Sequence, residues 1–395
     1  MKFVNVLFVV LLYCTHLSAQ VTLPNNLYFT HIGVEDGLCQ NTVCCILQDH
    51  LGFIWLGTKD GLTRYDGYRF RVFKHDAADP MSIGNNFIRV LYEDADGLIW
   101  IGTNVGVYIY NPETENFRKF DVATERGDVI SREVSSIKCD SSGDLWIGVN
   151  WQGVFRYDRR DESLELYEPV PGDTTSLSSV HVWDLCFDGD GNLWVGSQNG
   201  GLDRYDRETD RFVRHRLKGL SDVSRIVLDK QNQLLLGTMK DGLFSFNPYM
   251  GTCQPLLLDS GHKDLFVRAI FVRNSREVVV GTENGIYIYD CVTRKTRHVN
   301  QELGNPYSLS CKAVYSIYCD KEGALWIGTY FGGVNYLPPS SSLIFDKFYP
   351  IGHSDRLSGK AVREFVRDES GIIWIGTEDQ GLNRFDPVSG KFTHY

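Results

Sequence analysis

Asp94-Ala95-Asp96-Gly97-Leu98-Ile99-Trp100-Ile101-Gly102-Thr103-Asn104-Val105-Gly106-Val107-Tyr108-Ile109-Tyr110 recurs in close copies to the last residues of the chain. Aligned on the Gly that follows the Trp dipeptide, the copies place Gly57, Gly102, Gly148, Gly196, Gly237, Gly281, Gly328 and Gly376 between 41 and 48 residues apart. That spacing is the length of a propeller blade, and no helical periodicity supports helical repeats of similar length.

Each unit reads as four short strands between turn signals. In the second unit the expected strands are residues 86–93 (A), 98–103 (B), 107–110 (C) and 117–122 (D). Asp at the start of the A–B turn can bond backbone amides two residues on, and Gly three positions later takes the left-handed conformation. The pairs Asp49/Gly52, Asp94/Gly97, Asp140/Gly143, Asp188/Gly191, Asp320/Gly323 and Asp368/Gly371 keep this pattern. Asn232 replaces the Gly in unit five, which left-handed geometry tolerates; Arg276 replaces it in unit six, so that turn should differ. Trp55, Trp100, Trp146, Trp194, Trp326 and Trp374 share one strand-B position, taken by Leu235 and Val279 in the two divergent units. A large aromatic there is expected to fill the wedge between blades, and the Gly after it to let backbones approach.

The ends decide the blade count. Residues 27–38 read as a strand D and a D–A loop with no blade before them, and residues 391–395 repeat that pattern. If the N-terminal strand completes unit seven, residues 20–337 form an all-β, seven-bladed propeller of four-stranded antiparallel blades. Residues 338–342, Pro-Pro-Ser-Ser-Ser, are then a linker, and residues 343–395 are the first blade of a second, incomplete propeller. A single eight-bladed ring is the alternative.

Composition excludes several classes. The chain has 395 residues, 43% of them hydrophobic, enough for a large core. Lys2, the apolar run over residues 3–13 and Leu17-Ser18-Ala19 before Gln20 have the form of a secretory signal peptide, so residues 1–19 are left out of the fold. After Gln20 no apolar run approaches the roughly 18 residues needed to cross a bilayer, and an exported, soluble product is expected. The net charge of −10 argues against a nucleic-acid footprint. Of ten cysteines none shows CxxC or Cys/His metal spacing. Cys45, Cys139, Cys186 and Cys319 fall in expected strands just before the Asp turns and read as free, buried thiols.

Residues 42–337 and 361–395 resemble the two-component regulator propeller repeat: Asp, turn Gly, Ile/Leu-Trp-Ile-Gly-Thr, Gly-Leu and an aromatic-Asp end, met nearly in full by residues 368–386. The resemblance implies a periplasmic sensor region of a hybrid two-component system, in which propellers precede a membrane helix, a histidine kinase and a DNA-binding domain. It also implies an oligosaccharide ligand and a role in glycan utilisation. No kinase motif is present, so this chain reads as a fragment or truncated product and as no enzyme.

Function should lie where the copies differ. The B–C loops carry short polar residues in most units, but unit three has Asn150-Trp151-Gln152 and unit seven Tyr330-Phe331. An exposed aromatic flanked by amides suits stacking on a sugar ring with hydrogen bonds to its hydroxyls. His181 and Trp183, at the start of strand A in unit four, are placed to face the central opening from the same side. The competing reading packs these aromatics beneath their own loops or against a second propeller or a second copy in a homodimer. Asp188-Gly189-Asp190-Gly191-Asn192 faintly resembles a calcium loop but lacks the closing Glu, so it reads as turn chemistry and no metal or cofactor is expected. An enzyme of the propeller-lyase or glycan-active type would need a His/Glu pair at the centre of the loop face, with His181 as its seed; a protein-interaction propeller is the third reading.

Overall fold

The computed structural model describes residues 22–217, 220, 222–257, 265–339, 347–350 and 356–395. The leader expected at residues 1–19, residues 340–342 of the Pro/Ser stretch and residues 343–346 at the start of the expected second-propeller blade lie outside these. Apart from a short 3-10 turn at Val34–Asp36, the regular elements are strands, arranged as eight four-stranded antiparallel sheets. The second blade runs Ile88–Glu93, Ile99–Thr103, Gly106–Asn111 and Asn116–Lys119, within two residues of the expected bounds except at the end of strand D, which stops three residues early.

The A–B turn forms as its residues require. Gly52, Gly97, Gly143, Gly191, Gly323 and Gly371 all have positive φ, and Asn232 takes their place at φ 60°. The sixth unit does differ: Asn274 Oδ1 accepts the amides of Arg276 and Glu277 (2.9 and 2.8 Å) across a tighter hairpin.

Closure can be followed contact by contact. The N-terminal strand Thr30–Ile32 pairs antiparallel with Val334–Leu337, Thr30 opposite Tyr336 and Ile32 opposite Val334, and so becomes strand D of the seventh blade. The innermost strands of blades one to seven touch in an unbroken circuit, with Val314–Cys319 of blade seven against Val43–Gln48 of blade one. The Gly after each Trp marks each junction. A Cβ on Gly57 would come within 2.6 Å of Ile88, on Gly102 within 2.6 Å of Val134, and on Gly328 within 2.8 Å of Val43, which closes the circle. Each Trp of the ring also meets the strand-C aromatic of the next blade: Trp55 with Tyr110 (5.0 Å between centroids), Trp100 with Tyr157 (6.1 Å), Trp146 with Tyr205 (4.7 Å), Trp194 with Phe246 (5.3 Å), and Trp326 with Tyr65 (6.0 Å) across the closure.

Eight blades are thus present, the number the alternative reading counts, and seven of them make this circuit. In the eighth, a Cβ on Gly376 would meet nothing nearer than 3.7 Å, and Trp374 packs at a tilt on Tyr395 of its own blade. Residues 347–349 tie this blade to the ring: the Lys347 amide donates to the Tyr28 hydroxyl (3.1 Å), Tyr349 meets Tyr307 edge-on, and Phe348 packs on Phe385 and Phe392. The nine described cysteines are free.

A second device, repeated in three blades, latches the D–A loop to strand C. The Ser310 amide donates to Asn335 Oδ1 (2.8 Å) and the Ser358 amide to Asn383 Oδ1 (2.9 Å); in blade four the acceptor is Asp203, bonded by the Ser178 amide (2.9 Å) and hydroxyl (2.6 Å). Asp203 is fully buried and its Oδ1 has no hydrogen-bond partner among the described residues. Burial pushes its carboxyl from 3.8 up to about 6.

Two outcomes are expected. Gly102→Ala should cost roughly 1–3 kcal/mol by overpacking, whereas Gly376→Ala should leave the melting temperature nearly unchanged; equal losses would place a neighbour against blade eight as well. For Asp203, the folded state retains a proton that the unfolded chain has released between pH 4 and pH 6. Stability therefore falls as pH rises through that window, by roughly 3 kcal/mol in all. Asp203→Asn, which copies Asn335 and Asn383, should raise the melting temperature at pH 8 and barely alter it at pH 4, and equal shifts at both would refute the assignment.

Candidate functional site

All seven inner strands carry a β-bulge at the same place, immediately after the first residue. The register slips between Val43 and Cys45, Ile88 and Val90, Val134 and Ser136, Val182 and Asp184, Val223 and Arg225, Val267 and Ala269, and Val314 and Ser316. A bulge inserts one unpaired residue and re-aims its side chain. Here the extra residues are Cys44, Arg89, Ser135, Trp183, Ser224, Arg268 and Tyr315. All but Ser224 line one cavity, together with Arg225, Glu133 and Asn150. Because the strands that bear them are the innermost of the ring, the cavity lies on its axis. In blade five the Ser224 hydroxyl turns away to the Val267 carbonyl (2.8 Å), and Arg225 takes its place in the lining.

The lining is cationic and aromatic. Arg89 Nε donates to Asn104 Oδ1 (2.7 Å), its Nη2 pairs with Glu133 (3.2 Å), and the guanidinium lies 4.1 Å from the Phe87 ring centre. Arg268 is held by Glu283 (2.5 Å) and by two rings, Phe266 at 4.0 Å and Tyr315 at 4.5 Å. Arg225 donates from Nε to the Arg268 carbonyl (2.7 Å) and from Nη1 to the Ser224 carbonyl (2.9 Å), both neutral acceptors. Burial pulls its pKa below the ordinary guanidinium value, with Asp184 opposing. Trp183 Nε1 is buried without a hydrogen-bond partner among the described residues. Burial raises the Cys44 thiol to about 11 against the pull of Arg89, Lys59 and Arg268, so it stays protonated at neutral pH and is no nucleophile.

Of the residues singled out by sequence, Trp183 and Asn150 line the cavity. Tyr330 stands at its rim: Lys59 Nζ donates to the Tyr330 hydroxyl (3.1 Å) and lies 4.1 Å from that ring, which packs on Tyr315 (5.1 Å). Phe331 is exposed and edge-on to Tyr330. Trp151 is 65% exposed, with an unusual φ of 70°, and its ring meets His181 edge-on at 4.1 Å; His181 Nδ1 is 3.2 Å from Asn150 Oδ1. The polar side-chain partner of His181 is thus an amide, where an acid–base pair would want a carboxylate. Gln152 is committed to the neighbouring D–A loop: Oε1 accepts the amides of Ser131 and Arg132, and Nε2 donates to the Val129 carbonyl. Both carboxylate oxygens at Asp188 are likewise engaged, by the Asn192 amide and by Trp194, as turn chemistry demands.

Sequence reasoning passed over Phe87, Arg89, Arg225, Phe266, Arg268 and Tyr315. The signal was there: the second residue of strand A reads Cys, Arg, Ser, Trp, Ser, Arg, Tyr around the ring, while the residue before it is always Val or Ile.

Four stretches, residues 37–60, 82–105, 176–199 and 308–331, match the family model of the two component regulator propeller. The chain carries two component regulator propeller repeats. It is similar to the extracellular domain of the hybrid two component system BT3049 of B. thetaiotaomicron, with 28% identity, a TM-score of 0.78, and coverage of 94% of this chain and 49% of that one. A curated relative, histidine kinase P4 of Formosa agariphila, is 39% identical over 59 residues, or 15% of this chain and 4% of the kinase. The chain therefore spans about half the length of the solved structure and a small part of the kinase. Virginiamycin B lyase of Staphylococcus aureus (12% identity, TM-score 0.60, covering 79% of this chain and 99% of the lyase) shares the fold alone. No helix among the described residues is long and apolar enough to cross a membrane.

Proposed function

We propose that this propeller is the ligand-sensing part of a periplasmic input region of a hybrid two-component system, and that it detects an oligosaccharide and so regulates glycan utilisation. The observation that carries the reading is the axial cavity. It is built largely from a strand position whose residue type changes from blade to blade around a repeated ring, and its wall is aromatic and rich in hydrogen-bond donors. Tyr315, Tyr330 and Trp183 supply faces on which a sugar ring can stack, and guanidinium and indole N–H groups supply donors for its oxygens. Trp151, Phe331 and His181 extend this surface outward over the same face. The likeness to an extracellular domain of a hybrid two component system supports a sensing role, and the leader-like residues 1–19 support export. Signal output requires a kinase that this stretch of chain does not contain, and the open face of blade eight supports a partner there: a second propeller or a second copy of this one.

Calorimetry against a panel of neutral and acidic oligosaccharides should give saturable heat with at least one. Trp183→Ala should weaken that binding about tenfold or more without moving the melting transition, and Trp151→Ala should weaken it less. No heat with any glycan would overturn the proposal. Glycans recovered cleaved from the incubation would replace it with the enzyme reading.

A further inference from the structure

The axial cavity is cationic in a chain that carries 50 acidic and 40 basic residues. Of the six bulge residues that line it none is acidic and two are arginine, and Arg225 adds a third guanidinium beside them. The charges present are unequally answered. Glu133 pairs with Arg89 and Glu283 with Arg268. Asp184, the carboxylate that opposes the burial of Arg225, is occupied by the Ser136 hydroxyl (2.9 Å) and the amides of Leu185 (2.9 Å) and Ile226 (3.0 Å). Among the described residues Arg225 makes no ion pair within 4 Å, and its hydrogen bonds go to two carbonyls through Nε and Nη1, which leaves Nη2 unused. Of Arg268, Nε alone is hydrogen-bonded among the described residues. The Trp183 indole N–H is a third donor without an acceptor.

We propose that the axial cavity binds an oxyanion, a carboxylate or sulfate carried by the sugar ligand, with Arg225 as the residue that selects for charge. The proposal rests on the ligand-sensing reading of this cavity and narrows its ligand class to acidic oligosaccharides. The geometry is suited to it in three ways. The guanidinium groups of Arg89 and Arg268 are fixed before a ligand arrives, by Asn104 and Phe87 in one case and by Glu283, Phe266 and Tyr315 in the other, so little side-chain freedom is lost on binding. Among the described residues Nη2 of Arg225, both Nη atoms of Arg268 and the Trp183 indole have no hydrogen-bond acceptor, which favours a guest that only accepts; a neutral sugar brings hydroxyls that must also donate. A half-buried guanidinium lacking a carboxylate gains more from a charged acceptor than from a hydroxyl, since charge-assisted bonds are about twice as strong as neutral ones.

The test compares a neutral disaccharide with its uronic-acid and sulfated counterparts, and with sodium sulfate alone, by calorimetry on the same chain. The acidic sugars should bind at least about tenfold tighter than the neutral one, and the gap should narrow as sodium chloride is raised. Arg225→Gln should reduce the acidic affinity until the gap closes to within about twofold, and Arg268→Gln should narrow it in a protein that keeps Arg225 in case the first variant fails to fold. Equal binding of neutral and acidic sugars by the unaltered protein would overturn the oxyanion site and leave the sensing reading standing; a gap that survives in both variants would do the same. Sulfate alone matching the sulfated sugar would keep the oxyanion site and remove the sugar from it. Binding of none of the four would overturn both.

Discussion

The structure hangs on one hydrogen bond repeated six times, from the indole N–H of a strand-B Trp to the carboxylate at the start of the A–B turn. Trp55 donates to Asp49 (2.7 Å), Trp100 to Asp94 (2.8 Å), Trp146 to Asp140 (3.1 Å), Trp194 to Asp188, Trp326 to Asp320 and Trp374 to Asp368 (each 2.8 Å). The other oxygen of the same carboxylate accepts the amide four residues on, as Asp49 does from Phe53 and Asp94 from Leu98. One side chain therefore closes the turn and fixes the indole, and the fixed indole presents its ring to the strand-C aromatic of the next blade. Losing the carboxylate would leave a buried indole N–H unsatisfied, a cost of roughly 1–3 kcal/mol before the turn is counted. Arginines from the following blade strengthen the same node, Arg159 reaching Asp94 and Arg207 reaching Asp140.

Blades five and six show what happens without it. Asp229 still closes its turn on the Gln233 amide (2.8 Å), but Leu235 stands where the Trp would be, and Val279 does so in blade six. Leu235 and Val279 are buried and pack into the neighbouring clusters. The ring thus tolerates an aliphatic wedge provided the Gly behind it remains: Gly237 and Gly281 still sit where a Cβ would strike Val267 and Val314 at 2.6 Å. Close approach at the Gly is the stricter constraint, because a side chain can be exchanged for another of its kind and a missing Cβ cannot.

Much of this was legible in the sequence because it repeats. Period, turn chemistry, the Trp position and the N-terminal strand all announce themselves when copies are laid in register. The Asp–Trp bond was harder to read, since its partners lie six residues apart across a hairpin and each has a sufficient local reason of its own. The cavity was hidden by the bulge. Strict alternation along strand A, counted back from its paired residues, assigns Arg89, Arg268 and Tyr315 to the wrong face, because a bulge slips the register by one residue. Gln152 misled in the opposite way: its place beside an exposed Trp suggested a ligand contact, and only the fold brings residues 129–132 close enough to occupy its amide.

The eighth blade separates what a blade makes for itself from what its neighbours supply. It has the same Asp–Trp bond, the same turn Gly and even the same bulge, with the register slipping between Val362 and Glu364 and Arg363 as the extra residue. Its inner strand is nevertheless exposed throughout: Phe365 is 73% accessible, where its counterpart Ile137 in blade three is 2%. Full burial of such a side chain contributes about 1.5–3 kcal/mol, and each ring blade gains it several times over from the adjoining inner strands. The local bonds define the blade's shape in either setting. It is the circuit of seven inner strands that buries their apolar residues and, in the same step, gathers the bulged ones around an axis. A lone blade can display Arg363 to solvent, paired with Glu378, but only a closed ring can set Arg89, Arg225 and Arg268 against a common centre. The stability of the fold and the existence of its cavity are for that reason one property.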